Sequence, residues 1–340
     1  MDRQPDNTGL VGPPIFLSLN LVGNSPVFQR VLGLVGKVAR YDAPVLIEGE
    51  TGTGKELAAR AIHYLGQRQG KAFVPVNCGS LPDNLIENEL FGHRRGAYTD
   101  AKDDQPGLIE HADGGTLFFD ELEGLTEKGQ VTLLRFIQER EYRPLGARQP
   151  RRADVRIVAA SNAPLKELVE QGKFRQDLYY RLGVVTISIP PLRERTGDVR
   201  LLAAHFLDRF RRDYGQPDRH LPIELVDWMN GYHWPGNVRE LENLIHRFFV
   251  LEDETVEEIR NHGAETVERR KNVFDRRIGH CFSLSYREAK ARMLQDFEQR
   301  YLSWLMAETG GNVSQAARIC GKERRALGRL LKKYEIDRGA

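Results

Sequence analysis

The sequence predicts an α/β domain on a parallel sheet, a small helical subdomain after it, and an all-α helix-turn-helix module at the C-terminus. Three observations predict this. Short β-branched runs alternate with helical patterns from residue 20 to about 190. The pattern is helical over 191–250, with a sharp break at Trp234-Pro235-Gly236. After a stretch at 251–280 that is rich in acids and arginines, helical patterning resumes over 281–337. The strand candidates are Pro44–Ile47, Phe73–Val76, Thr116–Phe119, Val155–Ala160 and Val184–Ile189. Each is short, apolar and not alternating, the pattern of strands covered on both faces, and their alternation with helices argues for parallel pairing. The division expected is a leader at 1–19, an α/β domain at 20–190, a helical subdomain at 191–250, a linker at 251–280 and a terminal module at 281–340.

Length and composition fit that division. The chain has 340 residues, 40% hydrophobic and 29% charged, enough for two or three domains with a sizeable core. The formal net charge is only +2, but it is uneven. Residues 312–340 carry eight Lys/Arg against three acids, +5 in 29 residues, which suggests a basic module that meets nucleic acid. Cys78, Cys281 and Cys320 are far apart and odd in number. They match neither a disulfide framework nor a zinc pattern, as expected in a reducing cytoplasm. No apolar run reaches the ~18–20 residues of a membrane span, and the polar N-terminus does not read as a signal peptide. About 20 residues precede the α/β domain, too few for a sensing domain. Control is therefore expected from expression level or from a separate regulatory protein.

The strongest motif is Gly49-Glu50-Thr51-Gly52-Thr53-Gly54-Lys55. It follows a strand candidate and leads into a helix pattern, the context of a phosphate-binding loop. The glycines let backbone N–H groups wrap phosphates, the helix N-terminus adds partial positive charge, and Lys55 adds a full charge. Generic loops place Ser or Thr after the Lys to hold Mg²⁺, whereas this chain has Glu56. A glycine-rich turn that binds nothing is the bland alternative. The second motif opposes it: Gly114-Gly115-Thr116-Leu117-Phe118-Phe119-Asp120-Glu121, an apolar strand ending in two acids, 65 residues after Lys55. Asp120 is suited to hold Mg²⁺, directly or through water, and Glu121 to polarise an attacking water. Together the two motifs indicate ATP hydrolysis.

A third set is weaker alone. Ser161-Asn162 ends a strand and would place a polar tip beside the γ-phosphate. Arg175 and Arg181 flank the helical stretch Gln176–Tyr180 and could simply pair with Asp177 on the surface. Arg239 opens a helix after the Pro-Gly break, where it either reaches back to the nucleotide or caps its own helix with Glu240 and Glu242.

Residues 20–250 closely resemble the AAA+ domain of the bacterial enhancer-binding proteins, which activate transcription by sigma-54 RNA polymerase. The carrying segments are GETGTGKE, VNCGSL, ELFGH, GGTLFFDEL, FRQDLYYRL, PPLRER and WPGNVRELEN. The resemblance implies that Glu56 is usual after the Lys, and that Asn77 couples Glu121 to the state of the nucleotide. It makes Arg175 and Arg181 arginine fingers presented to a neighbouring subunit and Arg239 a second sensor. It also implies assembly from dimers into a hexameric ring.

The segment Gly96-Ala97-Tyr98-Thr99-Asp100-Ala101 stands where this family carries GAFTGA at the tip of a loop that engages sigma-54. Tyr98 keeps an aromatic tip. Asp100 replaces a glycine, removing backbone freedom and adding a negative charge. Tyr98 and Thr99 are the expected sigma-54 contacts.

The C-terminal module resembles the helix-turn-helix of the same activators and of the nucleoid protein Fis. A long helix is expected over Tyr286–Glu308, then a short helix capped by Asn312 or Ser314, a turn at Gly321, and a recognition helix over Lys322–Tyr334. Leu327, Leu330, Leu331 and Tyr334 would face the core, leaving Arg324, Arg325, Arg329, Lys332 and Lys333 for DNA. A merely solvated basic helix is the alternative.

These readings describe a cytoplasmic bacterial AAA+ ATPase that binds enhancer DNA, forms a ring and uses ATP and Mg²⁺ to remodel the sigma-54 RNA polymerase closed complex. The competing reading, motivated by Asp100, is a DNA-binding AAA+ regulator that no longer engages sigma-54.

Overall fold

The computed structural model describes residues 16, 19–80, 83, 85–98, 101–251, 298, 301–302, 305–306, 309, 311–321 and 324–334. The chain divides into two compact units, Met1–Arg260 and Asn261–Ala340. The linker expected at 251–280 falls almost wholly outside the described residues, as do most of the leader and most of the helix expected over 286–308.

The first unit is built on strands β1 (Val45–Glu48), β2 (Phe73–Asn77), β5 (Thr116–Asp120), β8 (Arg156–Ser161) and β9 (Val185–Ser188). They form one five-stranded sheet in the order β2-β5-β8-β1-β9. All its pairings are parallel, with Val45 opposite both Val158 and Val185, and Asn77 opposite Asp120. Successive strand side chains point to opposite faces, and the two cores follow that alternation. Leu46, Leu117, Phe119, Ile157 and Ala159 pack on one face. Val45, Ile47, Phe118, Val158 and Ala160 pack on the other.

The first face is covered by helices α3 (Ile86–Phe91), α5 (Glu127–Glu139), α6 (Leu165–Glu170) and α7 (Gln176–Leu182), and the second by α1 (Pro26–Ala39) and α2 (Lys55–Tyr64). The short α4 (Leu108–His111) also lies on the first face, through Ile109. Two expected strands are not covered on both faces. In β2 the side chains of Phe73 and Val74 are half-buried and Pro75 is exposed; in β9 Thr186 and Ser188 are exposed. These are the sheet edges, where covering helices reach only part of the strand. Four two-residue strands were not expected from sequence: β3 (Gly92–His93) pairs with β4 (Gln105–Pro106), and β6 (Glu141–Tyr142) with β7 (Arg151–Arg152), both antiparallel.

The helical subdomain comprises α8 (Asp198–Tyr214), α9 (Ile223–Gly231) and α10 (Asn237–Val250). Its core centres on Trp234, fully buried, with Phe206, Phe210, Leu225, Leu241 and Ile245 around it. The Trp234 indole N–H donates to the Met229 carbonyl at 2.9 Å, so the aromatic that marks the sequence break anchors this layer. Asp198, also buried, ties the subdomain to the start of α1. It accepts from the Asn24 and Ser25 backbone N–H groups at 2.7 and 2.9 Å, from the Ser25 hydroxyl at 2.9 Å and from Arg195 Nε at 2.8 Å. A buried carboxylate is tolerable only with such a set of donors.

In the second unit, α11 (Val313–Ile319) and α12 (Arg324–Lys333) pack through Ala316, Ala317, Leu327 and Leu331, with Leu302, Leu305 and Met306 of the preceding segment. Asn312 is the cap: its Oδ1 accepts from the N–H groups of Ser314 and Gln315 at 3.1 and 3.2 Å. Gly321 sits between the helices at φ +64°, the left-handed geometry that a glycine turn allows. Among the described residues, no helix is long and apolar enough to cross a membrane.

Candidate nucleotide site

Strand β1 ends at Glu48, and the chain turns through Gly49–Gly54 into α2. Gly54, at φ +99°, stands at the helix N-terminus. Thr53 Oγ1 donates to the Glu50 carbonyl at 2.7 Å, closing the loop on itself. Gly52 is required twice over. Its φ is +80°, and a Cβ there would lie 2.2 Å from the Gly236 carbonyl oxygen. Lys55, largely buried, donates from Nζ to the carbonyls of Gly49 and Glu50 at 2.7 and 3.1 Å and to Asn162 Oδ1 at 2.7 Å. Burial pulls the Lys55 ammonium below its ordinary pKa, with Asp120 and Glu123 opposing that shift.

Asp120 and Glu121 stand at the end of β5. Asp120 Oδ1 accepts the Glu121 backbone N–H at 2.9 Å. Burial raises the Asp120 carboxyl above its ordinary value, and the charge of Lys55 pulls the other way. Glu121 has φ +54°, an uncommon conformation for a side-chain-bearing residue, which costs of order 1–3 kcal/mol. The neighbouring strand brings Asn77 level with Asp120. A Cβ on Gly79 would lie 3.0 Å from Glu121 Oε2 and 3.3 Å from Asn77 Oδ1, so both groups converge over this glycine. Among the described residues no hydrogen bond joins Asn77 to Glu121; Asn77 Oδ1 instead accepts the Ser80 N–H at 3.1 Å.

Asn162, at the tip of β8, links three loops. Besides Lys55, its Oδ1 accepts from the Thr51 hydroxyl at 3.1 Å. On its other side stands Glu123, which the sequence reading passed over. The Glu123 carboxylate accepts from Asn162 Nδ2 at 2.6 Å, from the Asn162 N–H at 3.2 Å and from the Ser161 hydroxyl at 2.9 Å.

The helical subdomain closes the site from the opposite side. The N–H groups of Val238 and Arg239 lie 3.0 and 3.3 Å from the Gly52 carbonyl. Asn237 is fully buried at φ +53°. Its Nδ2 donates to Glu50 Oε2 and to the Thr51 carbonyl, both at 3.1 Å, while its Oδ1 accepts the Leu192 N–H at 2.8 Å. Arg193 clasps the same Glu50 carboxylate at 2.6 and 2.8 Å, holding the carboxyl below its ordinary range. The Glu50 side chain is therefore committed to the helical subdomain, which leaves its backbone in the loop. Asn237 and Arg193 were not singled out from sequence either. Their only signal was membership of the WPGNVRELEN and PPLRER segments.

These elements enclose a cleft lined by Thr51, Gly52, Gly54, Lys55, Glu56, Asp120, Glu121, Asn162 and Arg239, with Glu242 at its edge. The Glu56 side chain itself pairs with Arg60 one turn on, at 2.7 Å. Of the two options for Arg239, the geometry favours the cleft. It is Glu240 that caps the helix, accepting the Gly236 N–H at 2.7 Å, and Glu242 pairs with Arg209 at 2.5 Å.

Arg175, Arg181 and Tyr98 are not among the residues that line the cleft. Arg175 pairs with Asp177 at 2.8 Å, as the surface alternative anticipated, and that bond raises its pKa. Arg181 does not flank the helix but belongs to the last turn of α7, where it is exposed. Tyr98 is exposed and packs beside the His93 ring, 5.0 Å away, and the Gly96 N–H donates to the Ala101 carbonyl at 2.8 Å. Thr99 and Asp100 lie outside the described residues. On α12, Arg324, Arg325, Arg329, Lys332 and Lys333 are exposed while Leu327 and Leu331 are buried. Lys333 is the exception in availability: its Nζ donates to Tyr334 Oη at 2.9 Å, and that hydroxyl donates to Glu298 at 2.6 Å.

The chain is similar to known proteins along most of its length. The family described as the sigma-54 interaction domain matches residues 21–188, the AAA+ ATPase lid domain residues 193–273, and the bacterial regulatory protein Fis family residues 293–334. The chain is 41% identical over 322 residues to nitrogen fixation protein AnfA of Azotobacter vinelandii, covering 95% of this chain and 58% of that protein. It is 42% identical over 320 residues to response regulator protein PilR of Pseudomonas aeruginosa, covering 93% and 70%. It is 39% identical over 339 residues to DNA-binding transcriptional regulator NtrC of Azospirillum brasilense, covering 94% and 70%. The crystal structure of NtrX from Brucella abortus in complex with ADP matches at TM-score 0.66 and 30% identity, over 94% of this chain and 69% of that one. The chain thus spans roughly 58–70% of the length of these relatives. A phosphate-type loop, an acid-tipped strand and a lid around one cleft, with a Fis-type module after them, place the chain in the sigma-54 activator family of AAA+ P-loop ATPases.

Proposed function

We propose that the protein hydrolyses ATP in a ring of its own copies, in the bacterial cytoplasm, and uses the cycle to remodel the sigma-54 RNA polymerase closed complex from enhancer DNA. The observation that carries this reading is the convergence of Lys55, Asp120, Glu121, Asn162 and Arg239 on one cleft between loop and lid. Lys55 would exchange its carbonyl partners for the terminal phosphates, joined by the N–H groups at the start of α2. Asp120 fits Mg²⁺, since that ion is commonly held by one carboxylate together with water and substrate phosphates. Among the described residues no cluster of three candidate ligands exists that would bind a metal without nucleotide. Bound there, Mg²⁺ would neutralise phosphate charge. Glu121 would orient and polarise the attacking water, with Asn77 over the same glycine positioned to restrain it.

Arg175 and Arg181, both facing solvent, would act on a neighbour's nucleotide. To do so, Arg175 must leave Asp177, an exposed ion pair whose loss costs little. Tyr98 and Thr99 would contact sigma-54. Arg324, Arg325, Arg329 and Lys332 would face DNA, with Lys333 joining once it leaves Tyr334. The test is open-complex formation on a sigma-54 promoter with hydrolysable and non-hydrolysable ATP. Melting only with hydrolysable ATP is the expected result, and promoter opening without nucleotide would overturn the reading.

A further inference from the structure

The orientation of Asn162 is settled by its partners. An ammonium only donates and a carboxylate only accepts. Lys55 Nζ lies 2.7 Å from Oδ1, and Glu123 stands 2.6 Å from Nδ2. The side chain therefore turns its carbonyl oxygen to the cleft and its NH2 group away. A carbonyl cannot donate to a phosphate; it can only take a donor, either Lys55 or a water. Glu123 enforces this with three further contacts, two from the Asn162 backbone N–H and one from the Ser161 hydroxyl. Thr51 adds a second donor to the same Oδ1.

We propose that Glu123 is a positioning residue that holds Asn162 with its acceptor facing the cleft, so that the third phosphate is read through Lys55 and not by a direct donor from the strand tip. This rests on the cleft being a nucleotide site. Its consequence is a modest preference for ATP over ADP, because the tip residue contributes no hydrogen bond to the γ-phosphate. Removing the Glu123 carboxylate frees Asn162 to rotate and present Nδ2 to that phosphate. Glu123→Gln keeps a carbonyl acceptor for Nδ2 and leaves the orientation as it is.

The experiment measures equilibrium affinities of the full chain for ADP and for a non-hydrolysable ATP analogue, so it does not depend on turnover. Glu123→Ala should raise the ratio of analogue to ADP affinity about tenfold, the worth of one charge-assisted hydrogen bond. Glu123→Gln should keep the wild-type ratio. In an Asn162→Ala background, Glu123→Ala should change nothing, because its effect passes through that amide. An unchanged ratio in Glu123→Ala, or a change that survives in the Asn162→Ala background, overturns the proposal while leaving the nucleotide site standing. A wild type that binds neither nucleotide sinks the nucleotide site and the proposal with it.

Discussion

Asn237 Nδ2 stands 3.1 Å from Glu50 Oε2, and through that bond the first residue of a lid helix holds the second residue of the phosphate-type loop. Asn237 is fully buried in a left-handed conformation, and each polar end of its side chain has a partner. Lid and loop are thus one hydrogen-bonded unit in this state. Removing Asn237 should be costly. Asn237→Ala leaves the Leu192 N–H and the Thr51 carbonyl without their partner and keeps a positive φ with no side chain to compensate. We expect a loss of about 2–4 kcal/mol in unfolding free energy, read by denaturant melts. An unchanged midpoint would show that the latch carries no stability.

The Glu50–Arg193 pair makes a pH prediction. The Glu50 carboxyl is held below 4.5 chiefly by its hydrogen bond to Arg193. A folded-state pKa below the unfolded value means that the contribution is fully present above 4.5 and fades as pH falls through the folded value. The stability difference between wild type and Glu50→Gln should therefore be largest near neutral pH and shrink in acid. Both groups are about two-fifths exposed, so the difference should be small and should weaken further in high salt. A difference that grows in acid would contradict this assignment.

Glu121→Gln should keep ATP affinity and lose most turnover, because the water loses its polarising carboxylate while Lys55 remains. Lys55→Ala should weaken binding itself. Affinity and steady-state ATPase measurements on the same preparations separate the two. Wild-type turnover in Glu121→Gln would remove that residue from the chemistry.

Arg175→Ala and Arg181→Ala should each cut turnover by ~10³-fold or more if they act as fingers. Since each would serve a neighbour's site, mixing Arg175→Ala with Glu121→Gln subunits should restore part of the activity. Mixed rings with no recovery would argue that the two residues belong to one subunit's own site, or that Arg175 stays with Asp177.

Arg324→Ala combined with Arg325→Ala should abolish specific enhancer binding and leave basal ATPase activity in place. Each lost phosphate contact should flatten the salt dependence of binding by about one unit of slope. Lys333→Ala alone should have the smaller effect, because its ammonium already bonds Tyr334. Footprints unchanged by the double variant would move the recognition surface off α12.

The sequence alone determined the class of the molecule and the chemistry of its cleft. GETGTGKE after a strand, and Asp120-Glu121 at the end of another, are local patterns: loop, glycine and charge lie within a few residues, so their geometry follows from chain connectivity. The helix-turn-helix was legible for the same reason, from Asn312, Gly321 and the spacing of Leu327 and Leu331. Tertiary structure decided what depends on residues far apart in the chain. Glu123 meets Asn162 across 39 positions, Arg193 meets Glu50 across 143, and Asn237 meets Glu50 across 187. No periodicity encodes such meetings; they exist because parallel strands bring their C-terminal ends to one edge and the lid folds back over it. For that reason the side chain of Glu50, a residue read from its motif as part of a backbone phosphate cradle, holds the lid. Asn162, read as a polar tip, turns out to have its donor and acceptor ends assigned by a glutamate that the motif did not mark.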